Sequence, residues 1–451
     1  MKCCAATLTV FACTALSGVW AFGQASAPSA PAQKARPSFQ AAGPRSATAP
    51  SGYSDGVTQQ RAQATGKLIP LLQRQALLQL LPQKSEPGCA QQEALRSAAA
   101  RKPRDLPANL NLGWFNLWHG QPAQALAPLH AAGRIAPADV RPKIALTIAY
   151  IETEDETQAQ QTLDALQAMH ANKIVTAQLS AALPSETAST AGTPMSAEVA
   201  YTKGLAMLSS GDATQAQRIF AAGLALPAVK PGARADLSLG MGLADALRGT
   251  PQQAAAELLD ASESDPHNLV SSTLLAAWIA PDAPSAPQAL VVIKQTAQLL
   301  PGSAIARYNL ATLMARMTRQ GRSTEQAAVI KNAYDQASAI DPRLAAAHFG
   351  LGEFEQENRD TAQAIAQMRQ ANQLEPGVAS WHYRLFRELE AASMHEDAAR
   401  EMAVFQSMQG NAGAASGEAK LLQGIPIESL EPGNAPCRSN QPERASSSVR
   451  P

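Results

Sequence analysis

Aromatic residues make up only 4% of this 451-residue chain, and cysteine occurs five times. An excess of charge of either sign is missing as well, with 37 Lys plus Arg against 37 Asp plus Glu. With so few aromatic and β-branched residues there is little to build strands from, and an all-β fold is excluded on composition. A net charge of zero leaves no basic stripe for gripping nucleic acid, and it does not fit an acidic disordered tail protein either. Beyond Phe22 no stretch is apolar enough to span a bilayer. What is abundant is alanine, about a fifth of the residues and the best helix former. Hydrophobic residues at 45% are ample for a core.

The first 23 residues read as a secretory signal. Lys2 is the only charge before Lys34, an apolar run follows from Ala5 to Phe22, and small residues lie at Gly23 and Ala25. That order is a charged start, an apolar middle and a small-residue cleavage site. Two alternatives stay open. The run is just long enough to remain as an uncleaved anchor, and Val10-Phe11-Ala12-Cys13 faintly resembles a lipidation motif. The protein is thus expected to be exported, periplasmic or extracellular, and to touch a membrane only if this segment stays uncleaved or is lipidated. Asn-x-Ser/Thr does not occur, which favours a bacterial envelope over a eukaryotic secretory route.

Three cysteines fall in that signal, leaving Cys89 and Cys437, each preceded by a Glu-Pro-Gly stretch. In an oxidising compartment the two can pair, tying the tail to the first helices. Two unpaired or intermolecular thiols are the alternative, since spacing does not test geometry.

Residues 24–56 are rich in Ala, Pro, Ser, Gln and Gly without hydrophobic period, and read as a disordered linker. The tail, 411–451, reads likewise as flexible, with Ile425, Ile427 and Leu430 as a small apolar cluster suited to docking on the last helix.

Between them runs a ladder. Counting back twelve from Pro137, Pro266, Pro301, Pro342 and Pro376 gives Ala125, Ala254, Ala289, Ile330 and Ala364. Counting back five gives Ala132, Ala261, Thr296, Ala337 and Ala371. Counting back twenty-four gives Gly113, Gly242, Ala277 and Gly352 in four of the five. Small residues seven apart share one helical face and let a second helix approach closely. The glycine sits on that second helix at the closest point, and the proline ends the unit. Each unit is therefore a helical hairpin. Thr250-Pro251, Asp155 and Asp212 read as helix starts.

Asn111-Leu112-Gly113 with Ala125, Ala132 and Pro137, and Leu351-Gly352 with Ala364, Ala371 and Pro376, resemble the tetratricopeptide repeat; Tyr201 to Gly204 with Ala216, Phe220 and Gly223 fits it too. Eight units start near Leu106, Val140, Ala197, Ala235, Val270, Ala304, Ala345 and Ala379. They fill 106–170 and 196–410, flanked by capping helices within 57–105 (Gln59 to Leu81 and Gln91 to Arg101) and interrupted by an irregular insertion at 171–195. The unit near Ala304 carries extra residues from Arg319 to Glu325.

The resemblance implies an all-α fold, a right-handed solenoid whose first helices line a concave groove for peptide or protein segments. On that mapping the groove residues are Trp114, Leu117, Trp118, Arg141, Tyr201, Trp278, Tyr308, Phe349, Glu353, Tyr383 and Arg387. Trp and Tyr suit such a role because they offer large area at little rotamer cost. The competing reading of these positions is packing between neighbouring helices. Asn111 and Asn309 stand where family members that clamp a carboxyl terminus have one, but the lysines are missing.

No phosphate loop, Gly-x-Ser-x-Gly, His-Glu-x-x-His or Cys-x-x-Cys occurs in the mature chain. His348 and His382, 34 apart, occupy equivalent places on neighbouring units, normally packing positions. Glu152, Glu154, Asp155 and Glu156 fall at a hairpin turn and favour the next helix start. The sequence thus points to an exported non-catalytic scaffold that binds a protein or peptide segment, with no catalytic residue, metal or cofactor and no nucleic-acid partner. A secreted all-α carbohydrate-active or carbohydrate-binding protein is the alternative.

Overall fold

The computed structural model describes residues 68–82, 90–183, 195–319, 321–411, 424–427 and 430. The signal, the linker, Cys89 and Cys437 lie outside the described residues. Among the described residues there are nineteen α-helices and no strand. None is long and apolar enough to cross a membrane.

Eight antiparallel pairs carry the repeat. They are α3 (Leu106–Trp118) with α4 (Pro122–Ile135), α5 (Val140–Glu152) with α6 (Glu156–Ala168), and α8 (Ala197–Ser209) with α9 (Ala213–Leu224). Next come α10 (Pro231–Leu247) with α11 (Pro251–Ser264), α12 (Leu269–Trp278) with α13 (Ala286–Leu299), and α14 (Ala304–Met317) with α15 (Thr324–Ile340). The last two are α16 (Ala345–Glu357) with α17 (Thr361–Leu374), and α18 (Ala379–Ala391) with α19 (His395–Asn411). Each second helix packs on the first helix of its own pair, and in most units on the first helix of the next. This is a tetratricopeptide-like solenoid.

Local chemistry starts most of these helices. Asp105, Asp139, Asp155, Asp212 and Asp360 each accept a main-chain N–H of the first turn, and Ser323 with Gln326 forms a reciprocal capping box. Thr250 departs from expectation. Its hydroxyl donates to the Asp245 carbonyl at 2.9 Å instead of capping α11, and Pro251 starts that helix through its fixed φ.

The alanine ladder is the inter-helix seam. Ala125, Ala132, Ala254, Ala261, Ala364 and Ala371 are wholly buried. A Cβ added at Gly352 would lie 3.2 Å from the Ala364 carbonyl oxygen, and one at Gly242 would lie 3.1 Å from that of Ala254. Each of these glycines also makes room for the side chain sixteen residues on: Leu129 against Gly113, Phe220 against Gly204, Leu258 against Gly242, Met368 against Gly352. A bulky residue on the second helix fills the dent that the glycine leaves on the first.

The hairpin turns share one backbone device. Seven residues after each of these glycines the chain turns left-handed, at Gly120, Gly211, Gly249 and Arg359, and the turns of the second and last pairs do the same at Glu154 and Ser393.

The array is broken once. Residues 171–195 are not wholly irregular, for α7 (Lys173–Ala181) forms there and packs between α6 and α8. Two large apolar clusters meet near this break, one through units 1 and 2, the other from α8 onward. Of the two expected capping helices, α2 (Ala90–Arg101) does lie beside α3. The other, α1 (Leu68–Leu78), packs instead on α8 and α5, across the break. In the tail, Ile427 and Leu430 are buried in the apolar cluster that holds Ala398 of α19 and Trp381 of α18, and Gly424 abuts Trp381.

Candidate functional site

The face formed by the first helices is where the mapped groove residues fall, and it has two stretches of different character. At its N-terminal stretch the groove is already filled by α1. Leu68, Ile69, Leu71, Leu72 and Ala76 belong to the same apolar cluster as Ala197, Tyr201, Leu205 and Leu208 of α8. Leu77, Leu78 and Leu81 belong to the other cluster, with Leu117, Ile148 and Leu179. One short helix thus joins both cores.

In the middle of α1 stands Arg74, the lone charge in an otherwise uncharged helix. Its Nη2 donates to the carbonyls of Leu117 at 2.8 Å and Trp118 at 3.1 Å, at the end of α3. Its Nε lies 3.5 Å from Oε1 of Glu152, the last residue of α5. Burial pushes the Glu152 carboxyl up to about 7, the Arg74 charge pulling the other way. Farther along, Gln178 of α7 donates through Nε2 to the Ala76 carbonyl at 3.0 Å. The seat is imperfectly satisfied: Arg74 Nε, Glu152 Oε1 and the indole Nε1 of Trp114 are buried without a hydrogen-bond partner.

Beyond the last turn of α1 opens a small cleft lined by Ala76, Gln79, Gln178, Glu198, Tyr201 and Asp236, among others. Burial pushes the Asp236 carboxyl up to about 7, helped by the charges of Asp265 and Glu198. The Tyr201 phenol is raised by burial and then by Asp236.

The C-terminal stretch is more open. Trp278 and Tyr308 are half-buried, and Tyr308 leans on Tyr334 with ring centres 6.3 Å apart. Phe349 stacks on Trp381 at 4.7 Å and is buried. Tyr383 is 39% exposed and lies 5.1 Å from the Phe405 ring. Glu353 pairs with Arg384 at 3.2 Å, and burial raises its carboxyl against the pull of Arg384 and Arg319. Arg387 is exposed. Arg319 and Arg322 both pair with Glu357, at 2.7 and 3.0 Å, and the Arg322 guanidinium lies 4.7 Å from the Phe354 ring centre.

The mapped residues therefore do not act as one set. Leu117, Tyr201 and Phe349 are buried in the helix seams. Trp114 and Trp118 are half-buried beneath the region that α1 covers. Arg141 is exposed but tied to its own helix cap, with Nη2 2.6 Å from Asp139 Oδ2, a contact that holds the Asp139 carboxyl below its usual range. Asn309 donates to Ser272 and Thr273 and is packed between helices. Trp278, Tyr308, Glu353, Tyr383 and Arg387 remain on the more open part. His348 and His382 do not share a ligand: the first ring meets Gln367 and the Pro342 carbonyl, the second Glu401 and the Pro376 carbonyl. In the acidic turn, Asp155 caps α6 as expected, whereas Glu152 turns inward to Arg74. Arg74, Glu152, Gln178 and Asp236 were not among the mapped residues. The available signal was a single cation inside an apolar helix.

No family model matches the sequence, and no curated protein matches it. Among solved structures, MamA 41-end from Desulfovibrio magneticus RS-1 is 17% identical, covering 40% of this chain and 98% of its own, with a TM-score of 0.30. Cut9–Hcn1 of the APC/C hetero-tetramer is 12% identical, covering 73% of this chain and 58% of its own, with a TM-score of 0.41. The human IFIT1 dimer with m7Gppp-AAAA is 15% identical, covering 78% and 77%, with a TM-score of 0.43. Nothing about a ligand carries over at these values, and the architecture stands on the helix pairs themselves.

Proposed function

We propose that this chain is a protein-binding scaffold, exported to the cell envelope or beyond, that holds a segment of a partner protein on the face of its first helices. The observation that carries the reading is the open C-terminal stretch. There Tyr383 and Arg387 of α18 are exposed, Tyr308 of α14 is half-buried, and Glu353 of α16 pairs with Arg384 of α18. Aromatic anchors with flanking charges are the composition that recognises a peptide of mixed character. Export rests on the Lys2 start and the Ala5-to-Phe22 run.

Cross-linking mass spectrometry of the mature chain in its own envelope extract tests this. A partner cross-linked near α16 and α18 in the wild type, and lost in a folded Tyr383→Ala/Arg387→Ala variant, supports the scaffold. An unchanged partner set, or turnover of cell-wall glycan in a reducing-sugar assay, overturns it. Recovery of tagged protein solely from the cytoplasm removes the export claim.

A further inference from the structure

We propose that the seat of α1 is a helix-binding site, and that α1 is its exchangeable occupant, displaced by a partner helix carrying one arginine on an apolar face. This rests on the scaffold reading and names the partner class for the N-terminal stretch of the same face.

The site's chemistry can be read from what fills it. Two main-chain carbonyls, at Leu117 and Trp118, and the Glu152 carboxylate converge on one guanidinium. Arginine suits such a site better than lysine because its planar fork reaches several acceptors from one position. On either side of that charge the floor is apolar, with leucines of α1 entering both cores. Gln178 offers an amide donor to a carbonyl of the helix's last turn. Together these specify a helix of about three turns, apolar on one face with a central arginine.

Three observations mark α1 as an occupant and not as a member of the array. It belongs to no hairpin, and its main packing partner, α8, follows it by more than a hundred residues. Its described part is eleven residues long, a length that does not persist alone in water, so leaving the seat also means melting of that part. Its fit leaves Arg74 Nε and Glu152 Oε1 as an ion pair 3.5 Å apart with no hydrogen bond between them, and a helix whose arginine closes that gap gains what this pair forgoes. Because α7 also bridges units 2 and 3, departure of α1 leaves the array connected.

The probe is a fluorescent peptide of this chain's own residues 66–82, titrated into the full mature chain. Binding to wild type is expected to be weak, because the internal copy competes at high effective concentration. In Arg74→Glu, whose own helix faces Glu152 with the wrong charge, the wild-type peptide is expected to bind about ten-fold tighter or more. A peptide carrying the same Arg74→Glu change is expected to bind neither protein. Native-state hydrogen exchange is read in parallel: the amides of α1 should exchange well before those of α10. Equal peptide affinity for the two proteins, or α1 amides that exchange only with global unfolding, overturns the proposal. Should Arg74→Glu fail to fold, Arg74→Gln serves, since it too weakens the internal helix and leaves the seat intact, with the same two readouts. None of these outcomes touches the C-terminal stretch, so the scaffold reading stands or falls separately on its own cross-links.

Discussion

Arg74 and Arg316 make the same contact from different helices. Arg74 on α1 donates to the carbonyls of Leu117 and Trp118 at the end of α3, and Arg316 on α14 donates to those of Ala276 and Ile279 at the end of α12, the latter at 2.8 Å. The last carbonyls of a helix have no partner within it and carry the negative end of its dipole, so a guanidinium there is favoured twice. Burial works against each charge, lowering Arg316 and raising Glu152 beside Arg74. Within the array this contact ties one first helix to the previous one. On unit 1 the donor comes instead from α1, which belongs to no helix pair.

Removing that tie should loosen α1. Arg74→Ala is expected to weaken its docking by about 1–3 kcal/mol, since a buried carboxylate and two carbonyls lose their donor. Arg74→Met with Glu152→Leu should recover most of the loss, because an apolar pair fills the same space without an unpaired charge. Hydrogen exchange at residues 68–78 in the two single variants and the double variant measures the coupling. Additive effects would show that the two side chains do not interact.

The two raised carboxyls set a pH dependence. Glu152 and Asp236 titrate near 7 in the fold, against ordinary values of 4.5 and 3.8. Between those limits the folded state holds protons that the unfolded chain releases. Stability therefore falls as pH rises through that window, by up to roughly 1.4 kcal/mol per pH unit per group. Urea midpoints should be higher at about pH 5.5 than at about pH 8, and Glu152→Gln/Asp236→Asn should flatten the difference. A double variant with the wild-type slope would remove these residues as its source.

The hairpin turns offer a gain. Glu154, Arg359 and Ser393 adopt φ of 59°, 64° and 61°, where the equivalent turns use Gly120, Gly211 and Gly249. A side chain in that region is strained, and glycine is not. Each change to glycine should stabilise by about 0.5–1 kcal/mol after the entropy of the unfolded glycine is charged against it. Thermal midpoints of the three single variants check this, and a fall in all three would contradict it.

The dents on the first helices predict a loss. A Cβ at Gly204 would lie 2.2 Å from the Phe220 ring, which is wholly buried. Gly204→Ala should cost about 1–3 kcal/mol through overpacking. Adding Phe220→Leu should recover part of it by vacating the space. Urea unfolding of the two variants decides, and a neutral Gly204→Ala would mean that α8 and α9 shift apart freely.

Much of the array was legible because its cause is local. Ala125, Ala132 and Gly113 recur at fixed offsets since two helices of one hairpin must approach at that point, and the offset is set by helix pitch and turn length. The same is true of Asp155 and Asp212, whose caps lie three residues away. Arg74 was not legible. Its acceptors are 43 and 44 residues distant and its cores lie on helices of three different units, so no periodicity within α1 points to them. Tyr201 misled for the opposite reason. Its position on the first helix is a groove position in a regular array, but here α1 and the Phe220 ring close over it.

Synthesis order gives the misplaced helix a further significance. α1 leaves the ribosome before any residue it will rest on, and the Tyr201 helix that forms most of its floor follows more than a hundred residues later. At ordinary elongation rates of about 5–20 residues per second, that is a wait of roughly 6–25 s. During this interval Leu68, Ile69, Leu71 and Leu72 have no native surface to cover them. A chain exported unfolded, as proposed above, would need something to hold that segment in the meantime, and a segment made well before its seat is well placed to be held.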